Sequence, residues 1–80
     1  MDALLIIRQF LSEQYGIAPE TITPETPLDK LGIDSLMFFE LVFEFEGKLG
    51  VRSPKNEEIA DLKTIGELIA LIDNLRLEKT

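Results

Sequence analysis

The segment LGIDSLMFFELVFEFEGKLG, residues 31–50, contains a turn, a helix start and the longest apolar helix candidate of the chain. At 100° per residue, a helix over 35–49 places these apolar side chains on one broad side: Phe38, Phe39, Leu41, Val42, Phe45 and Leu49. The opposite side carries a polar i, i+4 stripe: Glu40, Glu44 and Lys48. This pattern predicts an amphipathic helix with Phe39 facing the core and Met37 on the polar, solvent-facing side.

Helices are also predicted on both sides of this segment. Residues 3–15 have an apolar face, with Asp2 as N-cap and Gly16 as the stop: Ala3, Leu4, Ile6, Ile7, Phe10, Leu11 and Tyr15. A closing helix starts after Thr64, with Glu67 three residues later as in a capping box. Its apolar face is Ile65, Leu68, Ile69, Ile72 and Leu75. Between them, residues 56–62 suit one or two helical turns with Asn56 as N-cap.

The stretch between the first two helices, residues 16–34, is predicted to be a long but ordered loop. Three prolines forbid a continuous helix through it: Pro19, Pro24 and Pro27. Five apolar anchors predict that it wraps over the core: Ile17, Ile22, Leu28, Leu31 and Ile33. No segment shows the alternation of a strand, so the predicted fold class is all-α, a small bundle of three main helices and one short helix.

Length and composition limit the classes of function. Eighty residues predict a single domain over residues 1–80, because chains usually divide only beyond roughly 250 residues. The sequence contains no cysteine and no histidine. It therefore has no disulfide or thiolate ligand, and it lacks the commonest general base and metal ligand. A catalytic pocket in so small a core is not expected.

The net charge of −7, from fifteen acidic and eight basic residues, disfavours nucleic acid as a partner. It favours steering toward basic protein surfaces. The first residues, MDALLIIRQFLSEQYG, match neither a signal peptide nor a membrane span. We expect a cytoplasmic monomer that does not insert into membranes.

Ser35 has two interpretations from the residues alone. Asp and Ser are preferred N-cap residues, so the pair Asp34–Ser35 is typical of a helix start, with Asp34 accepting a backbone N–H. A helix N-terminus also suits a phosphate, because its free N–H groups and the positive end of its dipole stabilise an anion. A phosphodiester on Ser35 would meet little penalty there, and the residues leave both interpretations open.

The hexapeptide LGIDSL, residues 31–36, resembles the phosphopantetheine attachment motif of acyl carrier proteins, L-G-x-D-S-L, at every fixed position. The helix order and the long loop are similar as well, so the resemblance covers nearly the whole chain. It implies that a phosphopantetheinyl transferase (holo-acyl carrier protein synthase) transfers 4′-phosphopantetheine from coenzyme A to Ser35. The thiol of that arm would hold an acyl group as a thioester, and the protein would be a carrier, not an enzyme. The resemblance further implies that Asp34 positions Ser35 at the transferase and that Leu36 lies near the arm.

The resemblance also implies partner enzymes with basic surfaces: acyl-loading enzymes, acyltransferases or synthases. Glu40 and Glu46 match acidic contact positions of the family, and Glu44 lies on the same stripe as Glu40. Met37 and Phe43 are expected to add apolar contacts on this side. The alternative for each acid is a solvated helix face, which explains most charged residues on exposed helices.

Departures from the common family pattern point to a specialised member. Met37 and Phe38 stand where fatty-acid carriers often have a small acid and a hydroxyl residue, and Gly47 replaces a usual acid. Phe38 either packs in the core or narrows the space that shelters an acyl chain. We therefore expect a carrier for a specialised lipid or polyketide pathway. The alternatives are an aminoacyl or peptidyl carrier and an unmodified helical protein-interaction module.

Overall fold

The computed structural model describes residues 2–78, which form four α-helices and two short 3-10 turns. The helices are α1 (Ala3–Tyr15), α2 (Ser35–Leu49), α3 (Asn56–Ile59) and α4 (Ile65–Leu77). The 3-10 turns, Pro19–Thr21 and Asp29–Leu31, lie in the connection between α1 and α2. The predicted all-α class is confirmed, with three main helices, one short helix and a long ordered loop.

The core is one cluster to which α1, α2, α4 and the long loop all contribute. Its fully buried side chains come from all four: Ile6, Ile7, Leu11, Ile22, Leu41, Phe45, Ile65, Leu68, Ile72 and Leu75. Ile22 is buried in the loop, as the predicted anchoring requires. Tyr15, predicted on the apolar face of α1, is instead 39% exposed, because it belongs to the last turn of the helix.

Most helix ends follow the predicted caps. The Asp2 carboxylate accepts a hydrogen bond from the Leu4 N–H at 3.0 Å, and α1 ends at Gly16. The Thr64 hydroxyl accepts a hydrogen bond from the Glu67 N–H at 3.2 Å, as predicted. The Glu67 carboxylate accepts a hydrogen bond from the Lys63 N–H at 2.6 Å. In a regular capping box it would accept from the N–H of the N-cap residue, Thr64, which is one residue later.

Asn56 was the wrong N-cap for α3. It is the first helical residue, and the preceding residue Lys55 has the extended backbone of a cap. The Glu58 carboxylate accepts a hydrogen bond from the Lys55 N–H at 2.7 Å. This contact satisfies a backbone donor at the helix start, so an Asn cap is not required one residue later.

Backbone hydrogen bonds attach the long loop to the beginning of α4. The Leu28 N–H donates to the Lys63 carbonyl at 2.8 Å, and the Ile65 N–H donates to the Thr26 carbonyl at 3.0 Å. One residue further, the Gly66 N–H donates to the Pro24 carbonyl at 2.8 Å. These bonds hold residues 24–28 of the loop against the residues that begin α4.

We expect Gly66→Ala to destabilise the protein although alanine is the better helix former. A Cβ atom at position 66 would lie 2.9 Å from the Pro24 carbonyl oxygen, so the loop would have to move. Overpacking of this kind costs about 1–3 kcal/mol, which outweighs the helix-propensity gain of up to about 1 kcal/mol. Chemical denaturation of the variant measures the loss.

Gly47→Ala is the matched control for that substitution. A Cβ atom at this position in α2 meets nothing within 4 Å. We expect this variant to raise the free energy of unfolding by about 0.5–1 kcal/mol. Equal effects of the two alanines would contradict the close approach of the loop to Gly66.

Candidate functional site

Helix α2 buries most of the side that its sequence pattern predicts, including Leu41, Val42 and Phe45, but two residues differ from the prediction. Met37 is only 9% exposed and belongs to the core cluster, so its predicted solvent exposure is wrong. Phe39, predicted to face the core, is 60% exposed. Apolar residues lie on nearly every side of this helix, so their spacing alone does not decide whether Met37 or Phe39 faces the core. The packing of the neighbouring helices decides this. Because Met37 is buried, the predicted partner contact through Met37 is no longer supported.

Three exposed apolar residues form a ridge along α2, here called the aromatic ridge: Leu36, Phe39 and Phe43. Their side chains are 66%, 60% and 75% exposed, respectively. The spacing i, i+3, i+7 places them on one side of the helix. The same spacing is visible in the sequence, but it does not by itself show that Phe39 is exposed, because apolar residues lie on nearly every side of the helix.

The start of α2 leaves Ser35 free of a capping role. The Asp34 carboxylate accepts a hydrogen bond from the Met37 N–H at 2.8 Å, so Asp34 is the N-cap, as predicted. Ser35 is the first helical residue and is exposed. In residues 2–78 its hydroxyl forms no hydrogen bond with another protein group. Gly32, with φ of 71°, supplies the left-handed turn that leads into this segment.

An open groove of about 800 Å³ begins beside Ser35 and Asp34. Its walls come from the loop, from α2 and from the segment that contains α3, and they include Leu28, Ile33, Phe38, Phe39, Ile59 and Leu62. Phe38 is partly buried, packs against the core and forms one wall. It therefore narrows the space next to Ser35 without closing it.

A second, smaller groove of about 320 Å³ lies further along α2, between Phe43 and Pro54. Phe39 and Ile59 line both grooves and thus separate them. Ile59 was not predicted to be a wall of this region. No sequence signal indicates it, because the position of α3 depends on tertiary contacts.

The three acids predicted as partner contacts are partly exposed, and each already has an internal partner. Glu40 accepts a hydrogen bond from the Tyr15 hydroxyl at the end of α1. The Glu44 carboxylate lies 3.5 Å from the Lys48 ammonium, one turn away on α2. Glu46 accepts a hydrogen bond from the Ser53 hydroxyl. A basic partner surface would therefore compete with, or add to, these contacts.

The pairing of Tyr15 with Glu40 gives a titration that can be measured directly. The hydrogen bond to Glu40 and, less strongly, burial and nearby negative charge raise the pKa of Tyr15 to about 12 from its ordinary value of 10.0. Tyr15 is the single tyrosine of a chain without tryptophan, so its phenolate absorbance is unobscured. We expect a midpoint near that value, and a return toward 10 in Glu40→Gln.

Glu44→Gln is the control for that titration, because Glu44 pairs with Lys48 and not with Tyr15. It should leave the Tyr15 midpoint unchanged. A midpoint near 10 in the wild-type protein, while circular dichroism still reports intact helices, would disprove the pairing.

No group of three or more acidic, histidine or cysteine side chains in residues 2–78 is arranged to hold a metal ion. No helix in this part of the chain is long and apolar enough to cross a membrane.

Comparison with known proteins agrees with this arrangement. Residues 6–72 match the family described as "Phosphopantetheine attachment site". The chain is 41% identical over 73 residues to the meromycolate extension acyl carrier protein of Mycobacterium tuberculosis, a match that covers 90% of this chain and 63% of that protein. It is 36% identical over 72 residues to an acyl carrier protein of Renibacterium salmoninarum, covering 89% of this chain and 88% of that protein. The chain thus spans somewhat under two thirds of the mycobacterial relative.

The fold comparison points the same way. The crystal structure of an acyl carrier protein from Thermotoga maritima superposes with a TM-score of 0.77 at 29% identity, covering 100% of this chain and 96% of that one. Family match, sequence relatives and fold agree over almost all of the chain. The protein therefore belongs to the acyl carrier proteins, the family of carriers that hold their cargo on covalently attached 4′-phosphopantetheine.

Proposed function

We propose that Ser35 is the attachment residue of this carrier and that its hydroxyl oxygen forms the phosphodiester to 4′-phosphopantetheine. The observation that carries the proposal is that Asp34 and Ser35 have different roles at the start of α2. Asp34 caps the helix through the Met37 N–H, whereas the Ser35 hydroxyl is exposed and unused by the described residues. A serine needed for capping would lose that contact on modification, and Ser35 loses none.

The surroundings of Ser35 fit a phosphodiester followed by an apolar chain. The phosphate would lie at the positive end of the dipole of a 15-residue helix, which favours an anion. The groove that begins beside Ser35 is lined mainly by apolar side chains. When bound, the arm supplies a terminal thiol that holds an acyl group as a thioester. The apolar walls of the groove then shelter part of that cargo from water.

Asp34 has two roles in this proposal. Its carboxylate fixes the first turn of α2, and therefore the direction in which Ser35 points, through the hydrogen bond to Met37. It also places a negative charge next to the hydroxyl that a phosphopantetheinyl transferase must reach. Leu36, exposed directly after Ser35, offers an apolar contact beside the arm.

Partner enzymes would meet the carrier on the exposed side of α2. Burial of the aromatic ridge against a partner would stabilise the complex through the hydrophobic effect. Glu40, Glu44 and Glu46 provide negative charge on the same helix. Each exposed ion pair contributes little, on the order of 0.2–1 kcal/mol. Charge of one sign nevertheless speeds encounter with a basic surface. We propose the phosphopantetheinyl transferase and acyl-loading, acyltransferase or synthase enzymes as these partners.

We propose a specialised lipid pathway for this carrier. The support is its similarity to several proteins named meromycolate extension acyl carrier protein, at 38–41% identity. The departures at Met37 and Phe38 from the usual fatty-acid carriers point in the same direction. The carrier is further proposed to be a cytoplasmic monomer with one domain over residues 1–80.

Intact mass spectrometry tests the function. The protein is incubated with coenzyme A and a broad-specificity phosphopantetheinyl transferase, and the expected result is a gain of one arm. No gain, with a transferase shown to be active on another carrier, would contradict the proposal. Loading of the modified protein by a fatty-acyl ligase, and not by an aminoacyl-adenylating enzyme, would then identify the cargo class.

A further inference from the structure

The Arg52 guanidinium joins three segments of the chain. Its Nη1 and Nη2 atoms donate to the two Glu58 carboxylate oxygens at 3.0 and 3.1 Å, a bidentate pair with α3. Its Nε and Nη2 atoms donate to the Glu78 carboxylate at 2.9 and 3.2 Å, directly after α4. A third contact, at 3.1 Å, goes to the Ser53 carbonyl. One side chain thus links the turn before α3, α3 itself and the end of α4.

Helix α3 has little burial of its own to hold it in place. It consists of four residues, and none of them is buried. Isolated helices of that length are not stable in water, so α3 depends on its tertiary contacts. Its apolar contribution is Ile59, which is only partly buried.

The position of α3 nevertheless determines the shape of both grooves. Ile59 lines the groove beside Ser35 and also the smaller groove along α2. Across from it, Phe39 lines the same two grooves from α2. A displacement of α3 away from α2 would therefore widen the first groove and join it to the second.

We propose that Arg52 is a positioning residue that holds α3 as the outer wall of the groove. When its ion pairs break, α3 moves away and the groove opens. Arg52 does not line either groove, so it acts on their shape only through Glu58 and the helix that carries it.

The geometry of Glu58 explains why a single arginine has this effect. Glu58 Oε1 accepts from Arg52 and also from the Lys55 N–H at the start of α3. Arg52 therefore orients the carboxylate that closes the first turn of the helix. The same hydrogen bonds lower the pKa of Glu58 to about 2, so the carboxylate is ionised and the pair is complete at neutral pH.

Hydrogen exchange of the unmodified full chain tests whether the contacts of Arg52, here called the clamp, hold α3 in place. This measurement does not require the phosphopantetheine arm. The reporter is the Ala60 amide, which donates to the Asn56 carbonyl of α3 at 3.0 Å. In Arg52→Gln we expect this amide to exchange about two- to fivefold faster, the range expected for an exposed ion pair. Amides in the middle of α1 should be unchanged. Lys30→Gln removes the same charge from the loop and should leave Ala60 unaffected.

Salt provides an independent version of this measurement. At about 1 M salt the Debye length falls to about 3 Å, so the wild-type Ala60 amide should approach the exchange rate of Arg52→Gln. The variant itself should respond much less. An Ala60 rate that is the same in wild type and Arg52→Gln, or an equal acceleration at every amide, would overturn the proposal.

A second measurement concerns the cargo and rests on the proposed function. Hydroxylamine attacks the thioester carbonyl of acyl-loaded protein, giving a hydroxamic acid and the free thiol of the arm. With a medium-length acyl chain, cleavage should be about two- to fivefold faster in Arg52→Gln than in wild type. With an acetyl group, which is too short to occupy the groove, the two proteins should react equally.

The two readouts separate failure of the clamp from failure of the proposed function. If the wild type never accepts the arm, the proposed function fails, and hydrogen exchange still decides whether Arg52 holds α3. If the arm is attached but Ala60 exchange and acyl cleavage are both unchanged in Arg52→Gln, the clamp is disproved while the carrier function stands.

Discussion

Ser35→Ala should abolish attachment of 4′-phosphopantetheine and leave the fold intact. The substitution removes the one oxygen that the proposed phosphodiester requires, so the expected gain of mass in the presence of coenzyme A and a transferase is zero. Because Asp34 is the N-cap, the free energy of unfolding should change by no more than about 0.5 kcal/mol. Intact mass and thermal unfolding, measured on the same sample, check both parts.

Serines elsewhere in the chain provide the control for Ser35. Ser12 donates to the Gln9 carbonyl within α1, and Ser53 donates to Glu46. Their alanine variants should be modified as the wild type is. Residual modification of Ser35→Ala, or loss of modification in Ser12→Ala with the fold retained, would place the attachment at another residue.

Met37→Asp should be strongly destabilising. The side chain is 9% exposed and lies in the core cluster, where a carboxylate would have no charged partner. An uncompensated buried charge costs about 3–5 kcal/mol, a large part of the 5–15 kcal/mol that typically holds a domain together. Chemical denaturation should show this loss or an unfolded protein. The folded fraction should increase at acidic pH, where the introduced carboxyl group is protonated.

Phe43→Asp is the matched exposed substitution on the same helix. The Phe43 side chain is 75% exposed on the aromatic ridge, so its replacement should change the free energy of unfolding by less than about 1 kcal/mol. Its association with a loading or transferase partner should weaken instead. If Met37→Asp were as stable as wild type, the burial of Met37 would be disproved. Unchanged partner association in Phe43→Asp would remove the ridge from the partner surface.

The local chemistry of the chain was predictable where neighbouring residues decide it. Asp2, Asp34 and Thr64 each cap the helix that the sequence assigned to them, because an N-cap needs only a short acceptor side chain before the first turn. The prolines and anchors of residues 16–34 likewise predicted an ordered loop. The hexapeptide at 31–36 indicated the family, which the match over residues 6–72 confirms.

The sequence by itself therefore determined the fold class, the boundaries and N-caps of the three main helices, and the family. Tertiary structure decided that Met37 is buried and Phe39 is exposed on α2, because apolar residues lie on nearly every side of that helix and only the packed neighbours select between the two. It also decided the place of α3, because a four-residue helix is stable only through its tertiary contacts. The groove beside Ser35 depends on both, because its walls belong to segments far apart in sequence whose distances are set by packing and not by local propensity.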